Sequence, residues 1–258
     1  MKQISPKAKK ILIALGLLTV AIVGLTLAYY NSQKEFENEF HVKEPGVAIY
    51  EKFNPTDHWV PGEEKSKEIW FKNTGEMDML LRFSIDVEWE TPPTYTNDKG
   101  ETIVVDVPAK DVVDLYWKNS EKEKGPNGEP KATPLPKTEE EAAALAGFDF
   151  IPVTQEGVTY YYYKKVLKAK GTLDGTGADL SKTQNVLESV GFSPNLSNDG
   201  HEHSDYSNTQ INLTIKGETV LADNEAVKDQ WKDMPQIQAT IDFATGTVTW
   251  TQVSEETP

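Results

Sequence analysis

Two of the chain's four histidines, His201 and His203, share one polar loop, Asp199-Gly200-His201-Glu202-His203-Ser204-Asp205. Imidazole and carboxylate are ligands for a divalent cation. In an extended segment His201 and His203 point to the same side, where Asp199 and Asp205 could complete a coordination shell. A loop this polar is equally well read as solvated. A metal held there would fix the loop or a subunit contact rather than hydrolyse anything. No HExxH places two histidines and a general-base glutamate on one helix face, and there is no GxSxG, P-loop or dinucleotide fingerprint. With no cysteine in the chain, thiol chemistry, Cys-ligated zinc and disulfides are excluded. The expectation is a non-enzyme with no cofactor beyond that candidate metal.

The chain of 258 residues carries a net charge of −15, and Met1 to Ala28 contributes four lysines and no acid, so the remainder stands at −19. Such a body repels nucleic acid and anionic membrane surfaces. Six Trp, ten Tyr and nine Phe among many Val, Ile and Thr suit a sheet-rich fold stabilised by its core alone.

Lys2, Lys7, Lys9 and Lys10 precede an uncharged apolar run from Ile11 to Ala28. It reads as a signal peptide over 1–28, cut between Ala28 and Tyr29 after the small residues Thr26 and Ala28, or as an uncleaved anchor with its lysines in the cytoplasm. Both readings export the body. Residues 29–45, YYNSQKEFENEFHVKEP, are polar with Phe36, Phe40 and Val42 spaced along them. They are either a disordered leader or a strand donated to a neighbouring subunit's sheet.

From 46 to 253 the pattern implies one β-sandwich domain, with 254–258 as a tail. Val47 to Phe53 predicts a strand. Glu68 to Lys72 and the alternating run Leu81, Phe83, Ile85, Val87, Trp89 predict a hairpin about the turn Asn73-Thr74-Gly75-Glu76. The second strand has one face in a core and the other, with Arg82, Ser84, Asp86 and Glu88, in water. Trp59-Val60-Pro61-Gly62 is a turn before it. Further strands are expected at Thr102 to Val107, Val112 to Trp117, Ile211 to Lys216, Ile237 to Phe243 and Val248 to Trp250. Gly157 to Leu167, with four consecutive tyrosines, is aromatic on both faces and predicts a central strand packed on both sides, or one with a face in an interface. Thr138-Glu139-Glu140-Glu141 is a capping box opening a short helix that ends at Gly147, and Asp223 caps another running to Trp231. Asn119 to Lys137 and Asn195 to Asn208 are polar insertions.

Several of these stretches, in this order, resemble the TasA/camelysin group of bacterial matrix proteins, in particular SipW-dependent biofilm matrix proteins of the BsaA type. The resemblance rests on Ala28, Tyr29, Tyr30, Asn38, Phe40 and Val42 around the cleavage region. It continues through Trp59, Pro61, Gly62, Asn73, Thr74, Gly75 and Arg82, then YYYYKKVL from Tyr160. It ends at Ala222, Asp223, Asn224, Ala226 and Trp231. Lys43 stands where the family usually has glycine, and the two insertions fall outside the likeness. The resemblance implies a jelly-roll-like antiparallel β-sandwich with short helices in loop insertions, preceded by an N-terminal apolar signal helix. It also implies secretion by a Gram-positive bacterium, processing by a signal peptidase, and assembly into extracellular matrix filaments as a homopolymer, with an accessory matrix subunit as a further partner. In that assembly Phe36, Phe40 and Val42 are the donor-strand candidates.

Overall fold

The computed structural model describes residues 32–36, 46–53, 63–192, 209–231 and 237–252, the first of these as backbone. The apolar signal segment, the turn at Trp59, the loop at 195–208 and the tail at 254–258 lie outside the described residues. The fold is mostly antiparallel β. One five-stranded sheet runs in the spatial order β1 (Ser32–Phe36), β12 (Gln210–Leu221), β4 (Met79–Thr91), β10 (Val158–Tyr163), β9 (Phe150–Gln155). The other runs β2 (Val47–Phe53), β3 (Glu64–Asn73), β11 (Leu187–Phe192), β7 (Val113–Lys118), β8 (Thr133–Pro134). Two small hairpins accompany them, β5 (Thr94–Thr96) with β6 (Thr102–Val104) and β13 (Ile237–Asp242) with β14 (Thr247–Gln252). The helices are short: α1 (Ala109–Val112), α2 (Glu139–Ala144) and α3 (Asn224–Gln230).

The two large sheets face each other through aromatic residues. Phe83 of β4 meets Phe71 of β3 across the two sheets at 5.2 Å between ring centroids, and within its own sheet it meets Phe150 of β9 at 5.2 Å edge-on and Tyr161 of β10 at 4.8 Å. Period-two alternation sends Leu81, Phe83 and Val87 into this core with Ile69, Phe71 and Leu187. Arg82, Ser84, Asp86 and Glu88 of β4 were expected in water, and for Arg82 and Ser84 that expectation fails, since both are buried. The physical reason is a covering layer: α3, β13 and β14 lay Val227, Trp231, Ile237, Ile241, Val248 and Trp250 over Leu80 and Tyr162, making a second apolar cluster. The expectation holds farther along, where Asp86 and Glu88 are exposed.

The expected hairpin of β3 with β4 is also corrected. β3 pairs with β2 and β11, and β4 with β12 and β10, so the turn after Asn73 carries the chain from one sheet to the other. Asn73 builds that corner. Fully buried, it donates to the carbonyls of Met77 (2.7 Å) and Leu167 (3.1 Å) and accepts from the N–H of Gly75 (2.9 Å). A turn motif specifies a reversal of direction but not which strands then pair.

β10 is central, between β4 and β9. Tyr161 and Tyr163 enter the first cluster and Tyr162 the second, as a strand aromatic on both faces requires. The capping box forms in full at α2, with Thr138 Oγ1 accepting from the Glu141 N–H and the Glu141 carboxylate from the Thr138 N–H. Asp223 caps α3. The strand expected over 102–107 is shorter, ending at Val104, because its partner is only the three-residue β5. The insertion after Asn119 comes back to the core through β8 and the buried Leu135.

Candidate functional site

His201, His203, Asp199 and Asp205 lie outside the described residues, as do Ala28, Tyr29, Phe40 and Val42. Among the described residues no group of three or more His, Cys, Asp or Glu could hold a metal ion, and no helix is long and apolar enough to cross a membrane. Of the donor-strand candidates, Phe36 is reached, as the last residue of β1.

β1 occupies the edge of the first sheet, antiparallel to β12, in the register Ser32 to Thr219 through Phe36 to Ile215. The exposed edge of a sheet is a row of main-chain donors and acceptors, and a strand laid along it satisfies them without needing a particular sequence. β12 suits that role in two ways. It is long, paired with β4 from Gln210 to Leu221, so its register is held rigidly. Its Gly217 lets the opposing sheet approach: a Cβ there would fall 2.5 Å from Phe71 Cε1. On the other side of β12, Glu218 pairs with the guanidinium of Arg82. Arg82 is fully buried and flat against two rings, 4.5 Å from Tyr160 and 4.6 Å from Trp231. A buried guanidinium with carboxylate and aromatic partners holds β4, β12 and the covering layer in one register.

The outer face of the second sheet is a field of ion pairs. Lys122 bridges Glu68 (3.0 Å) and Glu188 (3.2 Å), and its hydrogen bond pulls the Glu68 carboxyl below its usual value. Tyr50 and Trp70 stack at 5.7 Å, with Lys182 4.3 Å above Trp70. Lys72 bonds Asp179 at 2.8 Å, and that bond together with Ser181 brings the Asp179 carboxyl down to about 2. These contacts are surface chemistry of modest energy.

A cavity of about 710 Å³ opens where the two sheets part, between the middle of β4, the tip of β10, α1, β7 and β8. Ile85, Asp86, Asp111, Asp114, Leu115 and Leu135 are among its walls. Burial, with Asp114 alongside, pushes the Tyr116 hydroxyl at its rim up to about 12, so that phenol stays protonated and donates to Asp114 (3.4 Å). Neither the cavity nor the partner of β1 was anticipated from sequence. The cavity has no local signature. For β12 a signal existed, a glycine inside an alternating strand pattern, which marks a close approach of another element.

No family model, curated protein or solved structure matches the chain.

Proposed function

We propose that the chain is a secreted structural protein of the TasA/camelysin kind, a jelly-roll-like β-sandwich exported by an apolar signal helix over 1–28 and cleaved after Ala28. It polymerises into extracellular biofilm matrix filaments by donating its N-terminal segment, 29–45, as a strand to the next subunit. One observation carries this reading: residues ahead of the sandwich lie along its edge as β1, in register with Ile215 to Thr219 of β12. The same ladder formed between two chains would join them end to end, with main-chain hydrogen bonds supplying continuity. Phe36, Phe40 and Val42 are the side chains proposed to add apolar anchoring. The acidic, cysteine-free body suits a protein that must stay soluble until it assembles.

The test is deletion. A chain beginning at Gly46 retains β2 to β14 and is expected to fold and remain monomeric by light scattering and electron microscopy. The protein beginning at Tyr29 forms fibres under the same conditions. Fibres from the shortened chain at the normal rate would sink the proposal. Recovery of intact Met1 in the membrane fraction, without fibres, would instead point to an anchored binding module.

A further inference from the structure

We propose that the cavity beside β4 is a binding slot for an extended peptide, added as a strand to β4, with apolar residues at alternate positions and a lysine or arginine between them. The argument starts from an incomplete ladder. β12 pairs with β4 from Met79 to Thr91, whereas β10 pairs with it only at Arg82, Phe83 and Ser84. Beyond Ser84 the β9–β10 hairpin turns away through Gly157, and the slot takes its place.

The direction of the main chain follows from the near end of β4. There the N–H and C=O of Met79 both bond to Leu167, at 2.9 Å each, on the side away from β12. Period two then aims the main-chain groups of Val87 the same way, into the slot. The N–H of Val87 is held at 3.0 Å by the carboxylate of its own neighbour, Asp86, where a paired strand would offer a carbonyl. A short run of strand edge is therefore open beside a cavity, the arrangement that strand addition uses.

The walls set the chemistry of the occupant. On the core side the slot is floored by Leu115 of β7 and the buried Leu135, next to Val87, so alternate residues of an added strand meet apolar surface. The residue directly opposite Asp86 lies on the other face and beside an exposed carboxylate, where opposite charges attract across a strand pair. Asp111 and Asp114 add two more carboxylates, and neither forms a salt bridge among the described residues. Lys110 of α1, Lys137 beyond β8 and Lys216 of β12, which pairs with Ser84, line the slot as well, so the preference for a basic residue belongs to the one position directly across from Asp86. The N-terminal segment, with Glu35, Glu37 and Glu39, has the wrong charge for this slot, so the inference is independent of strand donation to β12.

The probe is a fluorescein-labelled, end-blocked heptapeptide, Val-Thr-Val-Lys-Val-Thr-Val, titrated into the full-length protein and read by anisotropy. It is expected to bind saturably. The same peptide with alternate main-chain nitrogens methylated is expected not to bind, because the ladder is lost while every side chain is kept. Replacing its lysine by glutamate should weaken binding about fivefold or more, and Asp86→Lys should reverse that preference. Because the methylated peptide is tested on the unaltered protein, the result does not depend on how a variant folds. Equal binding of the methylated peptide, no binding of the parent, or a charge preference that fails to follow Asp86→Lys would each overturn the proposal. Tighter binding of a peptide of residues 33–43 would overturn it too, and assign the slot to a second copy of this chain.

Discussion

Replacing Gly217 by alanine adds one methyl group where Phe71 of the facing sheet presses against β12. The glycine lies within β12, so its conformation is open to any residue, and on chain entropy alone the substitution should stabilise the protein by about 0.4–1 kcal/mol. The structure predicts the opposite sign. The new Cβ would sit 2.5 Å from Phe71 Cε1 and 3.3 Å from Cδ1, and Phe71 cannot swing aside because it is fully buried and packed at 5.2 Å on Phe83. Overpacking of this kind costs about 1–3 kcal/mol. For a domain of this size that corresponds to a fall in Tm of roughly 2–4 °C per kcal/mol. Phe71→Leu should also destabilise, by about 1–2 kcal/mol, as a partial version of a phenylalanine truncation. In the double variant the methyl group occupies space that the ring has vacated, so the two losses should fail to add by about 0.5 kcal/mol or more. The assay is urea unfolding followed by tryptophan fluorescence for the four proteins. A Gly217→Ala protein at least as stable as the parent, or strict additivity in the cycle, would refute the facing of β12 against β3.

Two further outcomes follow from the charged groups. Glu218→Ala leaves the fully buried Arg82 guanidinium without its carboxylate and should cost about 3–5 kcal/mol, whereas replacing both residues by leucine should recover much of that loss; denaturant midpoints decide it. The Asp179 carboxyl, held at about 2 by Lys72 and Ser181, sits below its unfolded value near 3.9. A depressed carboxylate contributes stability above its unfolded pKa and loses it as pH falls through the folded one, so this contribution fades between about pH 4 and 2. Lys72→Ala should move the Asp179 titration upward in a carboxyl-carbon NMR experiment, and an unmoved titration would show that the pair does not form in solution.

What the sequence made legible was local. The tyrosine run from Tyr160 to Tyr163 announced a strand packed on both faces. Thr138 with Glu141, and Asp223 before Asn224, announced helix starts, because each motif carries its own hydrogen-bonding partners within a turn. What stayed hidden depended on distant partners. Arg82 occupies a water-facing position in the alternation of β4, and nothing within that strand reveals that Trp231, at the end of α3, will lie over its guanidinium. Asn73 looked like one end of a hairpin turn, yet Leu167 and Met77 receive its side chain and send the chain across to the other sheet. β9 lacks the clean alternation of its neighbours, with Pro152 inside it, and it is a strand because it forms the sheet's outer edge against β10. As for the candidate site, residues 29–45 read equally well as a loose leader or a strand. Ser32–Phe36 forms a strand on β12 of its own chain, some 180 residues away, and donation of that strand to a neighbouring subunit stays a proposal.

The most direct measurement of strand donation uses the absence of native cysteine. Glu35 and Lys216 are register partners in the β1–β12 ladder, while the neighbouring pairs are unsuitable because Gly217 has no room for a Cβ and Glu218 neutralises Arg82. In a Glu35→Cys, Lys216→Cys protein oxidised as a monomer, the disulfide holds β1 on its own β12. The account predicts that this protein forms no filaments until reductant is added. It also predicts that filaments grown reduced and then oxidised run as a covalent ladder on a non-reducing gel. Filaments growing from the oxidised monomer at the reduced rate, or oxidised filaments running only as single chains, would contradict it.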